Sequence, residues 1–231
     1  MKERHHFTFR AHILFLFLYL LCSLALFWFS PKDVGFSFGL SLMLVWNCFL
    51  SFLPVLFARR AVASRDKGSR LWPLWVFLWI IFWPNAFYLV TDAAHFSGNS
   101  FCLARPYQSP IYSTQIQLWV KAIMIITGIL YGAINGVTSE LFLEGRMTAR
   151  CGSGKRIAFR AVCSALGGIA IYIGRFLRLN SWDIFRPMKL IAAMCPPQGG
   201  WFFSLRFSGA FAVFIFLVLS FAKPLVRENT K

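Results

Sequence analysis

Six apolar runs, each close to the length a helix needs to cross a bilayer, are joined by short polar segments along this 231-residue chain. A hydrocarbon layer about 30 Å thick takes about 20 helical residues at about 1.5 Å each. The runs fall at residues 13–29, 36–57, 71–90, 118–138, 157–177 and 201–222. Lipid offers no partner for an unpaired peptide group, so runs like these fold as helices and not as open sheet. The expected architecture is all-α: an integral membrane bundle of six transmembrane helices, forming one polytopic domain over residues 1–231.

Composition supports this. Hydrophobic residues make up 58% of the chain and charged ones only 14%, where a soluble domain carries about a quarter charged. That much apolar surface exceeds what one core of this size can hide, and the excess must face lipid. No Pro/Gly/Ser-rich linker divides the chain, and no internal repeat suggests the inverted halves of many transporters. The N-terminus is basic and precedes the first apolar run, but no small-x-small cleavage site follows, so an uncleaved first span is expected.

The net charge of +16 is distributed as loops, not as a nucleic-acid-binding surface, and no nucleic-acid motif accompanies it. Basic residues gather in alternate segments. These are the N-tail (Lys2, Arg4, Arg10), the second loop (Arg59, Arg60, Arg65, Lys67, Arg70), the fourth (Arg146, Arg150, Lys155, Arg156, Arg160) and the C-tail (Lys223, Arg227, Lys231). The positive-inside bias therefore predicts that both termini are cytoplasmic.

Two polar strings stand out against this background. The first runs from Pro84 through Asn85, Tyr88 and Asp92 to His95; on an α-helix these four polar positions share one face. Pro84 lacks an N–H and predicts a kink, and Asn85 is placed to satisfy a carbonyl that the proline frees. The second string holds Arg175, Arg178, Asn180, Ser181, Trp182 and Asp183. Two arginines three residues apart suit a phosphate or carboxylate, because the planar guanidinium binds such groups in a bidentate fork. They would equally pair with Asp92 or Asp183 as a clamp between spans three and five. Asn85, Tyr88, Asp92, Arg175, Arg178, Asn180 and Asp183 form the expected polar cluster at the outer boundary. Asp92, Asp183 and His95 are the candidates for catalytic acid–base work.

Other chemistry finds little support. No zinc-protease, Cys-x-x-Cys or P-loop string occurs, and neither a metal nor another cofactor is expected. Cys102 and Cys195 fall in predicted outer loops and are expected to form a disulfide. Gly128, Gly132 and Gly136 repeat every four residues in span four, a spacing that lets another helix approach closely, within the chain or from a partner or second copy. Ser164/Gly168 and Ala170/Gly174 repeat the pattern in span five. The segment 184–197 reads as a short interfacial helix.

Through Pro84-Asn85-x-x-Tyr88-x-x-Thr91-Asp92-x-x-His95 and Gly174-Arg175-Phe176-x-Arg178-x-Asn180-Ser181-Trp182-Asp183, the chain resembles a bacterial membrane-protein family known only as a domain of unknown function, number 1361. It departs from the family's usual pattern at Phe87, where members often have proline. The resemblance implies a multi-pass protein of the bacterial cytoplasmic membrane and no particular activity. Three readings follow. In the first, the outer cluster binds an anionic lipid headgroup, a lipid-linked substrate or a protein partner. The second is a membrane-embedded hydrolase or transferase acting on a lipid-linked phosphate or sugar. The third is a small transporter, which the absence of acidic groups at mid-membrane depth disfavours.

Overall fold

The computed structural model describes residues 2–30, 34–97, 100–104, 109, 111–148, 152–179, 183, 186, 188 and 199–228. Among them, α1 spans Lys2–Phe29, α2 Phe38–Asp66, α3 Trp72–Phe82 and α4 Pro84–Tyr88, followed by a 3-10 helix Leu89–Phe96. A two-stranded antiparallel hairpin, β1 Cys102–Ala104 and β2 Ile111–Tyr112, precedes α5 Ile116–Met147, α6 Ser153–Phe176 and α7 Gly200–Glu228. Among the described residues, the hairpin is the one sheet in an otherwise helical structure.

Among the described residues, six stretches are long and apolar enough to cross a membrane: Phe9–Phe29, Phe38–Asp66, Trp72–Phe96, Ile116–Met147, Ser153–Phe176 and Gly200–Lys223. Their outer faces carry large apolar side chains that a soluble protein would bury, such as Leu205, Phe221 and Phe202. The chain is a multi-pass integral membrane protein. Several helices overrun the apolar segments read from the sequence. At 29 and 32 residues, α2 and α5 are longer than about 30 Å of hydrocarbon requires. Their extra turns carry charge: Arg60 lies over the Trp75 ring and Arg65 over Trp72, while Arg146 pairs with Asp66 at 2.8 Å.

The chain divides into two compact units. Unit 1 comprises Met1–Phe49 and Leu89–Tyr131, and unit 2 comprises Leu50–Tyr88 and Gly132–Lys231; α2 and α5 thus contribute to both.

In unit 1 the core gathers Tyr19, Leu26, Leu44, Cys48, Leu89, Met124, Ile125 and Tyr131. Tyr19 donates its hydroxyl proton to the Met124 carbonyl at 2.9 Å. Gly128 makes room for that ring, since a Cβ there would lie 2.9 Å from the Tyr19 oxygen and 3.5 Å from Cys48 Sγ. Near the middle of α1, the Phe15 ring stacks on Tyr131 at 3.9 Å, and His12 Nδ1 hydrogen-bonds the same tyrosine's hydroxyl at 3.0 Å. Buried Lys121 donates to the Val34 carbonyl at 3.0 Å, tying the approach to α2 onto α5.

In unit 2 the core is built on Trp79, Trp83, Phe87, Leu143, Ile171, Ile215 and Leu219. Small residues set its geometry. Phe87 fills the space that a side chain on Gly136 would need, with ring atoms 2.6 and 2.8 Å from the missing Cβ. Trp83 donates from Nε1 to the Gly136 carbonyl at 3.0 Å. A Cβ on Gly168 would sit inside contact distance of the Ser208 backbone, so α6 and α7 meet there main chain to main chain. Gly174 receives the edge of Tyr88, at 3.2 Å from the missing Cβ. The glycine spacings in spans four and five therefore serve close packing inside the chain at Gly128, Gly136, Gly168 and Gly174.

Candidate functional site

The first polar string is wound in two ways. From Pro84 to Tyr88 it is α-helical, and from Leu89 to Phe96 it is a 3-10 helix. Pro84 cannot donate, and the turn tightens around it: the Ala86 N–H bonds the Trp83 carbonyl at 3.1 Å instead of reaching back four residues. The Phe82 carbonyl is thereby released, and Asn85 Nδ2 donates to it at 3.1 Å. Asn85 thus satisfies the carbonyl left by the tightened turn, which is Phe82's and not that of Ile80, the acceptor facing the missing proline N–H. The α-helical stripe of Asn85, Tyr88, Asp92 and His95 does not continue past Tyr88, because three residues per turn replace 3.6. In the 3-10 segment Asp92 and His95 are eclipsed one turn apart.

Asp92 is 2% exposed. Both of its oxygens accept from Asn47 Nδ2 of α2, at 3.3 and 3.0 Å. Tyr19 and Cys48 lie within electrostatic reach of the same carboxylate. One partner of Asp92 is therefore an amide in the middle of an apolar span, a position the sequence reading did not single out. A lone asparagine amid leucine, valine and phenylalanine was the available signal, since a buried amide needs a partner. Arg175 and Arg178 belong to unit 2, whereas Asp92 belongs to unit 1. His95 is half-buried at the end of the 3-10 segment.

In the second string, α6 ends at Phe176, with half-buried Arg175 in its last turn. Arg178 follows in the left-handed conformation at φ 53°, the one non-glycine residue with positive φ among those described. That reversal lets the Leu179 N–H turn back to the Ile173 carbonyl at 3.4 Å, which already accepts from Leu177 at 3.2 Å. Leu179 is buried and anchors the turn, leaving the Arg178 side chain exposed. This is the position just past a helix end where a left-handed residue is common and glycine usual, and an L-residue pays about 1 kcal/mol or more for it.

This end of α6 lies against the start of α7. Phe176 packs edge-on against Phe203 and Phe207 at 5.0 and 4.9 Å, and Tyr172 stacks on Phe176 at 5.3 Å. Arg206 of α7 lies over the Phe202 ring at 3.8 Å. Asp183 is 1% exposed, and its carbonyl accepts from the Arg186 N–H at 2.8 Å. Asn180, Ser181, Trp182 and Cys195 lie outside the described residues, as does most of 184–197; the expected Cys102–Cys195 pairing falls there too.

A second polar group, also in unit 2, was not anticipated. Arg160 and Lys223, assigned to a loop and the C-tail by charge pattern, are drawn into helix contacts because α6 starts at Ser153 and α7 runs on to Glu228. Arg160 Nη2 reaches Glu144 Oε2 at 2.6 Å, and Lys223 Nζ bonds Glu144 Oε1. Glu140, one turn earlier on α5, is also buried. The sequence signal was the pair of carboxylates four residues apart, which places both on one helix face.

A cleft of about 810 Å³ between α1 and α2, lined by Leu16, Phe17, Leu20, Leu42 and Trp46, contains none of these polar groups. No group of metal-ligating side chains occurs among the described residues.

A family model described as "protein of unknown function (DUF1361)" matches residues 46–221. That range takes in both polar strings and begins one residue before Asn47. No curated protein and no solved structure matches the chain.

Proposed function

The chain belongs to the DUF1361 family of proteins of unknown function, and we propose that it binds a phosphate-bearing lipid or lipid-linked substrate through Arg175 and Arg178 at the membrane–water boundary. The observation that carries this reading is Arg178, an exposed guanidinium held on a left-handed backbone position that glycine would occupy without strain. Arg175 sits one helical turn before it. Arg206, near the start of α7, adds a third cation at the same end of the α6–α7 pair. Exposed Trp201 and Phe202 beside them suit the headgroup layer, where aromatic rings gather.

The enzymatic alternative needs a free base. Asp92 suits that role poorly, because it is buried away from solvent and tied to the Asn47 amide. The charge bias of the connecting segments supports a bacterial cytoplasmic membrane location with both termini inside, which puts the arginine end of α6 on the outer face.

Native mass spectrometry of the full chain released from detergent tests the proposal. Wild-type protein is expected to retain a phosphate-bearing lipid. Replacing Arg175 and Arg178 together by alanine should lower occupancy at least about tenfold, since charged hydrogen bonds contribute about 1.5–3 kcal/mol each. Equal occupancy in the two proteins would remove the arginines from the account.

A further inference from the structure

We propose that Glu140 is a proton-binding site, a carboxyl group held as the neutral acid beside an ion-paired Glu144. Glu140 is fully buried on α5. Neither of its carboxylate oxygens has a hydrogen-bond partner among the described residues. The cations nearby are committed elsewhere. Arg160 of α6 spends Nη2 on Glu144 at 2.6 Å and directs Nη1 at Ser220 Oγ of α7, 3.4 Å away. Lys223 of α7 takes the other Glu144 oxygen.

What remains for Glu140 is Arg160 Nε at 3.8 Å, too far for a hydrogen bond and itself without one. The titratable and charged groups facing it are thus Glu144 on its own helix, Arg160 and Cys163 on α6, and Lys223 on α7.

Two acids and two cations meet here, yet the hydrogen bonds of both cations to carboxylate go to one acid, and Glu140 keeps only the 3.8 Å ion contact with Arg160 Nε. A bare carboxylate sealed from water without a hydrogen bond is strongly disfavoured, and such groups neutralise instead. A proton is the smallest ligand that achieves this, and it needs no opening in the packing. The step is simple protonation: the carboxylate takes one proton from solvent and becomes a carboxylic acid, with no other reactant. On losing that proton, Glu140 would compete with Glu144 for the Arg160 guanidinium, one turn away along α5. Because Arg160 also touches α7, proton occupancy would bias how α5, α6 and α7 are tied together.

Infrared spectroscopy of the full chain in phosphatidylcholine nanodiscs at pH 7 reads this state. The expected result is a protonated-carboxyl stretch above the amide I band that disappears in Glu140→Gln. No such band, or a band that survives the substitution, overturns the proposal.

Thermal unfolding supplies a second readout. Glutamine mimics the neutral acid, so E140Q should unfold within about 3 °C of wild type. E144Q, which strips two buried cations of their partner, should fall by about 10 °C. An E140Q protein that falls as far as E144Q, or cannot be recovered folded, contradicts a neutral Glu140.

Discussion

At Gly168 a single hydrogen in place of a methyl decides whether two helices can touch, because a Cβ there would run into the Ser208 carbonyl of α7. Backbone cannot swing aside as a flexible side chain can. Gly168→Ala is therefore expected to lower stability by about 2–3 kcal/mol, the upper part of the overpacking range. Gly145, exposed near the end of α5, is the internal control: no atom lies within 4 Å of its missing Cβ. Gly145→Ala should stabilise by about 0.5–1 kcal/mol through helix propensity alone. Thermal unfolding of the two variants in one detergent checks the pair. Equal effects would mean that α6 and α7 do not meet at Gly168.

Among the elements, the segment from Trp72 to Phe96 shows how far local pattern reaches. Pro84 announced the break in the helix, because its missing N–H follows from the sequence. The acceptor of the Asn85 amide was not announced: it is the Phe82 carbonyl and not that of Ile80. The switch to 3-10 winding after Tyr88 was not legible: α and 3-10 helices use the same residue types, and tertiary contacts choose between them. Asn47 was hidden for a different reason. One amide in an apolar run gives no hint of its partner, and Asp92 lies 45 residues away. The cluster of Glu140, Glu144, Arg160 and Lys223 was missed because charge counting assigned the two cations to connecting segments, whereas the helices extend to enclose them. Asn47→Leu, which removes the donor shared by both Asp92 oxygens, should destabilise by about 1–3 kcal/mol. Asn47→Gln should recover part of that loss. Stability unchanged in Asn47→Leu would show that Asp92 is held by other contacts alone.

For the molecule as a whole, the six spans were legible because bilayer thickness converts hydrophobic run length directly into helix count. Orientation is a separate matter, resting on the basic segments. Gly68, exposed and at φ 65°, lies in the turn after α2, where an inserted tag disturbs little. A reporter there should register as cytoplasmic, and an extracytoplasmic signal would invert the topology. If the topology holds, Arg175 and Arg178 sit where headgroup phosphates are found, and function and fold make opposite demands on residue 178. Arg178→Gly resolves them. Unfolding and lipid retention measured on the same purified Arg178→Gly protein should show stability level with wild type or up to about 1 kcal/mol higher, together with a clear loss of bound phosphate-bearing lipid. Lipid retention equal to wild type in a stable Arg178→Gly protein would contradict the anion-binding account.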